Sequence, residues 1–210
     1  MRYNQVLSSI FVKSQPNNSP RIYVSFAALD DISLVQKIQA GNAEVFSILV
    51  TRWQHRVYTQ CYRQLGDQSL AQEATQDIFL KLYKGIGSFQ AKSKFSTWLF
   101  RIVLNHCSNL QDYHRRRQRE RHEPLEGSNP DNPRQLHSGN HSPDKEIERS
   151  EIKALIQEAL AQLPSEQREI LILRDIQEFS YEEITQILNL SLGTVKSRVH
   201  RARNALRPIL

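Results

Sequence analysis

Residues 180–206 read SYEEITQILNLSLGTVKSRVHRARNAL, two short apolar periodicities with a turn between them, the second one rich in cations. Ser180 with Glu183 three residues later makes a capping box, in which hydroxyl and carboxylate each take an orphan backbone N–H. The spacing predicts a helix from there that buries Ile184, Ile187 and Leu188. Asn189-Leu190-Ser191-Leu192-Gly193 reads as a turn, with Ser191 as the next N-cap. In the second periodicity Val195, Val199, Ala202 and Leu206 fall on one stripe at about 100° per residue. Ser197 and Asn204 lie opposite, flanked by Lys196, His200, Arg201 and Arg207, with Arg198 and Arg203 on the shoulders. Helix, tight turn and basic helix is the helix-turn-helix arrangement, whose second helix enters a major groove. Cations at the end of a helix complement its dipole, which accounts for Arg203 and Arg207. Those in its first two turns oppose the dipole and point to an external anion. The crest carries groups for base edges, and its flanks carry charge for phosphates.

Outward from this stretch, the charge is unevenly spread. The 210 residues carry a net +6, which suits a polyanionic partner. Residues 31–118 hold 12 Lys/Arg against 6 Asp/Glu, and residues 119–150 hold 5 against 7. Residues 151–210 hold 8 of each, acids first and cations last. Cys61 and Cys107 are too few for a disulfide framework or a four-ligand zinc site, and reduced thiols inside a cell are expected. Apolar runs fall far short of the roughly 20 residues of a membrane span, and the N-terminus lacks a signal-peptide pattern.

Nearly every apolar pattern has helical period, so the fold class is all-α. Phe46, Leu49, Val50, Trp53, Val57 and Cys61 predict a helix over 43–64. Asp67 caps the next, which buries Leu70, Ala74, Ile78 and Leu82 and ends at Gly85 and Gly87. A third runs from about Ser96 to Arg117, burying Trp98, Ile102, His106 and Leu110. Residues 123–144 contain Pro, Gly, Asn and Ser throughout and almost no large apolar side chain, too polar to offset ordering entropy. Helices resume with Ile152, Leu155, Ile156, Leu160 and Leu163 and stop at Pro164. The expected organisation is a poorly ordered extension over 1–30, a helical domain over 31–118, a flexible linker over 119–144 and a helix-turn-helix domain over 145–210. His137 and His141 lie in the linker without the cysteines or carboxylates that would complete a metal site. No metal or other cofactor is expected.

The quoted 180–206 stretch resembles region 4 of the extracytoplasmic-function sigma factors, bacterial promoter-recognition subunits of RNA polymerase, whose region 4 is a winged-helix-like helix-turn-helix. AQEATQDIFLKLYKGIGSFQAKSKFSTWLFRIVLNHCSN, residues 71–109, resembles region 2 of the same family. The two occur in the family's order with a linker between them. Thr185 stands where the family often has Ala and Asn189 where it often has Gly; Asn tolerates the left-handed turn. Residues 1–30 match nothing in the family pattern.

The resemblance implies a role for each half. Glu73, Gln76 and Asp77, one polar stripe at i, i+3 and i+4, would dock on the β′ clamp helices of core polymerase, with region 4 on the β flap. The loop Ser88–Lys94 and the helix after it would open and read the minus-ten element through Phe89, Lys92, Lys94, Trp98, Arg101 and Asn105, Trp98 also serving the core. Arg115 and Arg116 would lie along the duplex backbone upstream. Arg174, Thr194, Lys196, Ser197, Arg198, His200, Arg201 and Arg203 would read or brace the minus-thirty-five element. Within the linker, residues 123–144, about 22 residues able to extend over roughly 70 Å, would connect the two sites. An anti-sigma protein, often membrane-anchored, would hold the chain inactive, and the chain itself would be cytoplasmic. No P-loop, carboxylate cluster or Ser/His/Asp or Cys/His arrangement suggests an enzyme. A free-standing helix-turn-helix regulator is the alternative, and an inactive sigma-like adaptor a further one; both leave part of region 2 without a task.

Overall fold

The Asp30 carboxylate accepts the Ser33 N–H at 2.7 Å and so starts α1 (Asp31–Gln39), which buries Leu34, Val35 and Ile38. The computed structural model describes residues 26, 28–121 and 143–210. The expected helix over 43–64 is a single 3-10 turn, Ala43–Val45, leading into α2 (Phe46–Leu65). α2 stops at Gly66, whose φ of 78° is a left-handed conformation that glycine adopts without penalty. Asp67 caps α3 (Gln68–Gly85) by accepting the Leu70 N–H at 2.8 Å. A second 3-10 turn, Ile86–Ser88, follows the glycine. α4 (Phe95–Arg121) packs across both α2 and α3 and completes an N-terminal bundle.

The C-terminal half begins with α5 (Pro143–Ala161) and α6 (Ser165–Leu171). α6 widens into a π turn, Ile172–Ile176, closed by the Gln177 N–H on the Ile172 carbonyl at 2.8 Å. α7 (Tyr181–Leu188) and α8 (Leu192–Leu206) complete the helix-turn-helix. No strand occurs among the described residues, so the motif stands without the β-wing that a winged-helix-like domain would bring. No helix among them is long and apolar enough to cross a membrane. The linker expectation lies largely outside the described residues, as do His137, His141 and most of 1–30. Residues 119–121 and 143–144, assigned to the linker by composition, are helical.

Two buried stripes differ from expectation. On α4, Trp98, Ile102 and Leu110 are only half-buried, while Leu99, Phe100, Val103, Leu104 and Cys107 form the core. A strict four-residue spacing drifts around a helix that repeats every 3.6 residues. α4 is also covered from two sides, by α2 and α3 and by α7, so its buried face is broad. On α5, Ile152 and Leu155 remain 49% and 60% exposed, and burial begins only at Ala159.

The two halves share one apolar core. Phe100 on α4 meets Phe179, just before α7, edge to face with centroids 4.8 Å apart. Arg56 on α2 donates to the Gln177 side-chain oxygen at 3.0 Å and to its backbone carbonyl at 2.6 Å. Gln177 returns a bond to the Arg56 carbonyl at 3.0 Å. At the end of α2, the Gln64 carbonyl accepts from Arg168 on α6 at 3.0 Å, and Arg63 reaches the Lys153 carbonyl at 3.1 Å. The interface thus follows α2 along its length. Polar sequence positions that look like a solvated face hold the halves together.

Three titratable groups of the N-terminal bundle are shut away. Cys61 on α2 and Cys107 on α4 are fully buried with their sulfurs 3.7 Å apart. The shared hydrogen bond with Cys61, with burial, pushes the Cys107 thiol far up and keeps it protonated. His106 is 6% exposed, and its Nδ1 lies 2.6 Å from the Lys81 ammonium, which can only donate. The proton of the neutral ring therefore sits on Nε2, 3.8 Å from the Asp77 carboxylate. Burial first, then the Lys81 charge, lowers the His106 pKa from its ordinary 6.5. Below that ordinary value the unfolded imidazole binds a proton that the folded one refuses, so stability present at neutral pH is lost on acidification. The melting temperature of the native chain should fall more steeply below about pH 6.5 than that of His106→Gln; parallel curves from differential scanning fluorimetry would refute this assignment.

Candidate nucleic-acid interface

The helix-turn-helix forms as its sequence predicts. Ser180 Oγ accepts the Glu183 N–H at 3.1 Å, and the Glu183 carboxylate accepts the Ser180 N–H at 2.8 Å. Asn189 turns the chain at φ 53° and ψ 49°, and Ser191 caps α8 through the Thr194 N–H at 3.2 Å. Val195, Val199 and Ala202 are buried against α6 and α7, with Leu206 half-buried. Lys196, Ser197, His200 and Arg201 project into solvent on the opposite face, and Asn204 lies 3.0 Å from His200.

The shoulder cations are paired. Arg203 grips the Asp175 carboxylate through two nitrogens, and Arg198 meets Glu166 at 3.0 Å. Arg174 turns away from the crest. It donates to the Phe179 carbonyl at 2.9 Å, lies 5.0 Å from the Tyr181 ring and leaves a buried Nε without a partner. Thr194 faces the Ser191 hydroxyl at 2.8 Å. Lys196, Arg201 and Arg207, flanking the crest, are exposed.

The second face runs from the loop after α3 into α4. Phe89 is buried, 5.1 Å from the Trp98 ring and 5.9 Å from Phe95, so it shapes the loop instead of presenting a free aromatic face. Its carbonyl and that of Ile86 both accept from the Gln39 amide, at 3.0 and 2.9 Å, which ties the loop to α1. Ala91 at the loop tip has φ 52°, a region that costs an L-residue about 1–2 kcal/mol. Lys92 and Asn105 are exposed, and Trp98 is half-buried. Lys94 is 2.9 Å from Glu183, and Arg101 donates to the Gln186 carbonyl, both partners lying on α7. Further along α4, Arg115 and Arg116 are exposed; the first lies 3.7 Å from the Asp112 carboxylate and the second donates to the Asp112 carbonyl.

The third surface is the polar stripe of α3. Glu73 and Gln76 are exposed and Asp77 is half-exposed, while Leu82 is buried in the core as expected and Phe79 is buried beside it in the sequence. Sequence reasoning missed Gln39, Arg56 and Gln177. A glutamine or arginine on a helix face gives no sign of a long-range partner, and Gln39 reaches across 50 residues to Phe89.

Comparison with known proteins follows the same division. Residues 49–120 match the family described as Sigma-70 region 2, and residues 153–206 match Sigma-70, region 4. The chain is 33% identical over 190 residues to the RNA polymerase sigma-H factor of Pseudomonas aeruginosa, covering 86% of this chain and 95% of that one. It is 32% identical over 179 residues to the ECF RNA polymerase sigma-E factor of Escherichia coli K12, covering 85% and 93%. Among solved structures it is similar to CnrH in complex with the cytosolic domain of CnrY, with a TM-score of 0.60, 25% identity and 84% and 94% coverage. A TM-score of 0.60 and 26% identity also relate it to RpoE in complex with the anti-sigma factor NepR from Bartonella quintana, covering 78% and 95%. The chain belongs to the extracytoplasmic-function sigma factor family.

The capping box offers a check on this geometry. Ser180→Ala removes the acceptor for the Glu183 N–H and should destabilise the chain by about 1 kcal/mol, read as a lower melting temperature with an unchanged helical far-ultraviolet spectrum. An unshifted melting temperature would mean that the box contributes nothing.

Proposed function

We propose that the chain is a non-catalytic specificity subunit that binds core RNA polymerase, reads a bipartite promoter and helps separate the strands before it is released. The observation that carries this reading is the presence of two separate exposed polar surfaces bearing cations on one chain, each suited to nucleic acid. α8 presents an exposed polar crest, and the loop with α4 presents a strained tip, two lysines and, further along α4, a half-buried Trp98 and an exposed Asn105 amide. A free-standing regulator has use for the first only. The nucleotidyl-transfer chemistry belongs to the polymerase, and this chain supplies positioning.

Each surface then has a task. Glu73, Gln76 and Asp77 meet the cationic clamp helices of the β′ subunit, where carboxylates form charge-assisted bonds. Asn105 holds an unstacked minus-ten base, since its amide both donates and accepts, while Trp98 lends an aromatic edge for stacking. Phe89 supports the pocket from beneath. Lys92, Arg115 and Arg116 neutralise phosphates. Lys196, Ser197, His200 and Arg201 read the minus-thirty-five major groove with Thr194 at its rim, and Arg198, Arg203 and Arg174 brace the helix that carries them. The chain works in the bacterial cytoplasm, and an anti-sigma partner, in some cases membrane-anchored, restrains it. The complexes formed by the solved relatives support that expectation.

Run-off transcription with purified core enzyme tests the whole reading. The native chain should initiate at promoters of its own genome, and Glu73→Lys should weaken core binding on the order of tenfold through like-charge contact. Arg201→Ala should lose about 1–3 kcal/mol of discrimination at one base pair, whereas Arg203→Ala should weaken all sequences alike. No transcript from any start site with the native chain would overturn the reading.

A further inference from the structure

Lys81 on α3 and His106 on α4 belong to none of the three surfaces, yet they meet at the back of one. The Lys81 ammonium donates to His106 Nδ1 at 2.6 Å, which leaves the proton of the neutral ring on Nε2. That nitrogen is buried and has no hydrogen-bond partner among the described residues. Buried donors are nearly always satisfied, and each exception calls for a reason. Nε2 lies 3.8 Å from Oδ2 of Asp77, roughly 1 Å beyond hydrogen-bond length. Asp77 is half-exposed and stands in the polar stripe with Glu73 and Gln76. A donor thus waits on the inner side of a carboxylate that also reaches solvent. Cation, ring and carboxylate form a chain in which each member polarises the next.

When a cationic partner covers Asp77, water leaves and both carboxylate oxygens need donors. We propose that His106, set by Lys81, is a positioning residue of the polymerase-docking site: its Nε2–H closes on the inner side of Asp77 as a clamp-helix guanidinium takes the outer side. A carboxylate held from behind presents a fixed edge, which suits the planar fork of an arginine better than a lysine ammonium. This inference rests on the assignment of the stripe to core polymerase. The ring must be neutral to act. Imidazolium donates from both nitrogens, cannot accept from Lys81, and offsets the Asp77 charge that the partner seeks. Among the described residues the charges acting on the ring are Lys81, Asp77 and Glu73, all on α3. Of the other helices packed on α4, α2 brings Cys61 to the adjacent Cys107, and α7 brings Glu183 to Lys94. Burial and then Lys81 hold the His106 pKa below 6.5 against Asp77 and Glu73, so docking weakens only as pH falls through that lowered value.

Binding of the full chain to immobilised core polymerase by surface plasmon resonance, between about pH 5 and 8, tests it. Comparing variants at each pH cancels the titration of the core enzyme itself. The native chain should lose affinity in acid. His106→Gln, whose amide accepts from Lys81 and donates to Asp77 without titrating, should bind within about twofold of native at neutral pH and show no such loss. His106→Leu removes the donor and should bind core roughly tenfold more weakly at neutral pH, while its affinity for duplex minus-thirty-five DNA stays native. Lys81→Met, at an exposed position, should move the acid loss to higher pH, because the charge that disfavours imidazolium is gone. That variant and His106→Gln carry the test should His106→Leu fail to fold. Native docking by His106→Leu, or an acid profile of His106→Gln that follows the native one, overturns the inference. Glu73→Lys separates the two ideas. If it weakens core binding and His106→Leu does not, the stripe docks without help from the ring and only the inference falls. If neither substitution matters, the assignment of the stripe falls and takes the inference with it.

Discussion

A half-buried cation governs how the two halves of this chain meet. The Arg56 guanidinium has its faces against three aromatic rings and its edge against the Gln177 carbonyl and amide. Burial costs the charge its hydration and lowers the Arg56 pKa, with Glu178 and Glu183 opposing that shift. The rings and the bonds to Gln177 replace what water gave. A bond to a charged group is worth about 1.5–3 kcal/mol and a desolvated ring contact about 2, so this one side chain outweighs the exposed Lys94–Glu183 pair beside it. The turn that presents Gln177 depends on the π widening at Ile172–Ile176. An ordinary α-helical turn there would change the direction in which Gln177 and Phe179 leave α6.

The same logic separates the cations of α8. Arg198 and Arg203 are held by Glu166 and Asp175, which fixes α8 against α6 and the π turn. Lys196 and Arg201 keep their charge for solvent. A recognition helix needs both kinds: rigid shoulders so that the crest arrives in register, and unpaired groups to spend on bases and phosphates. Salt weakens exposed pairs such as Arg203–Asp175.

Much of this was legible in the sequence where the information is local. The capping box, the Asn189 turn, the Ser191 and Asp67 caps and the Val195–Ala202 stripe each follow from a few adjacent residues and stand as read. The α3 stripe and the exposed crest were likewise readable from helical phase. What failed needed knowledge of a neighbour. The α4 stripe was misplaced because α7 covers it from a second side. Phe89 is expected among the minus-ten residues, and nothing in the loop sequence says that it is buried or that Gln39 bonds its carbonyl. The pairing of Arg101, Lys94 and Arg56 with the other half spans separations of 85 residues and more, where no periodicity carries a signal.

The sealed sulfurs of Cys61 and Cys107 have a practical consequence. Thiol-directed dyes and spin labels attack the thiolate from solvent, and neither sulfur is within their reach in the folded chain. Cysteines introduced on exposed helix faces would take up a probe against a silent background, with both native residues left in place. The chain is thereby suited to single-molecule distance measurements between its halves, in which each molecule reports its own separation in time.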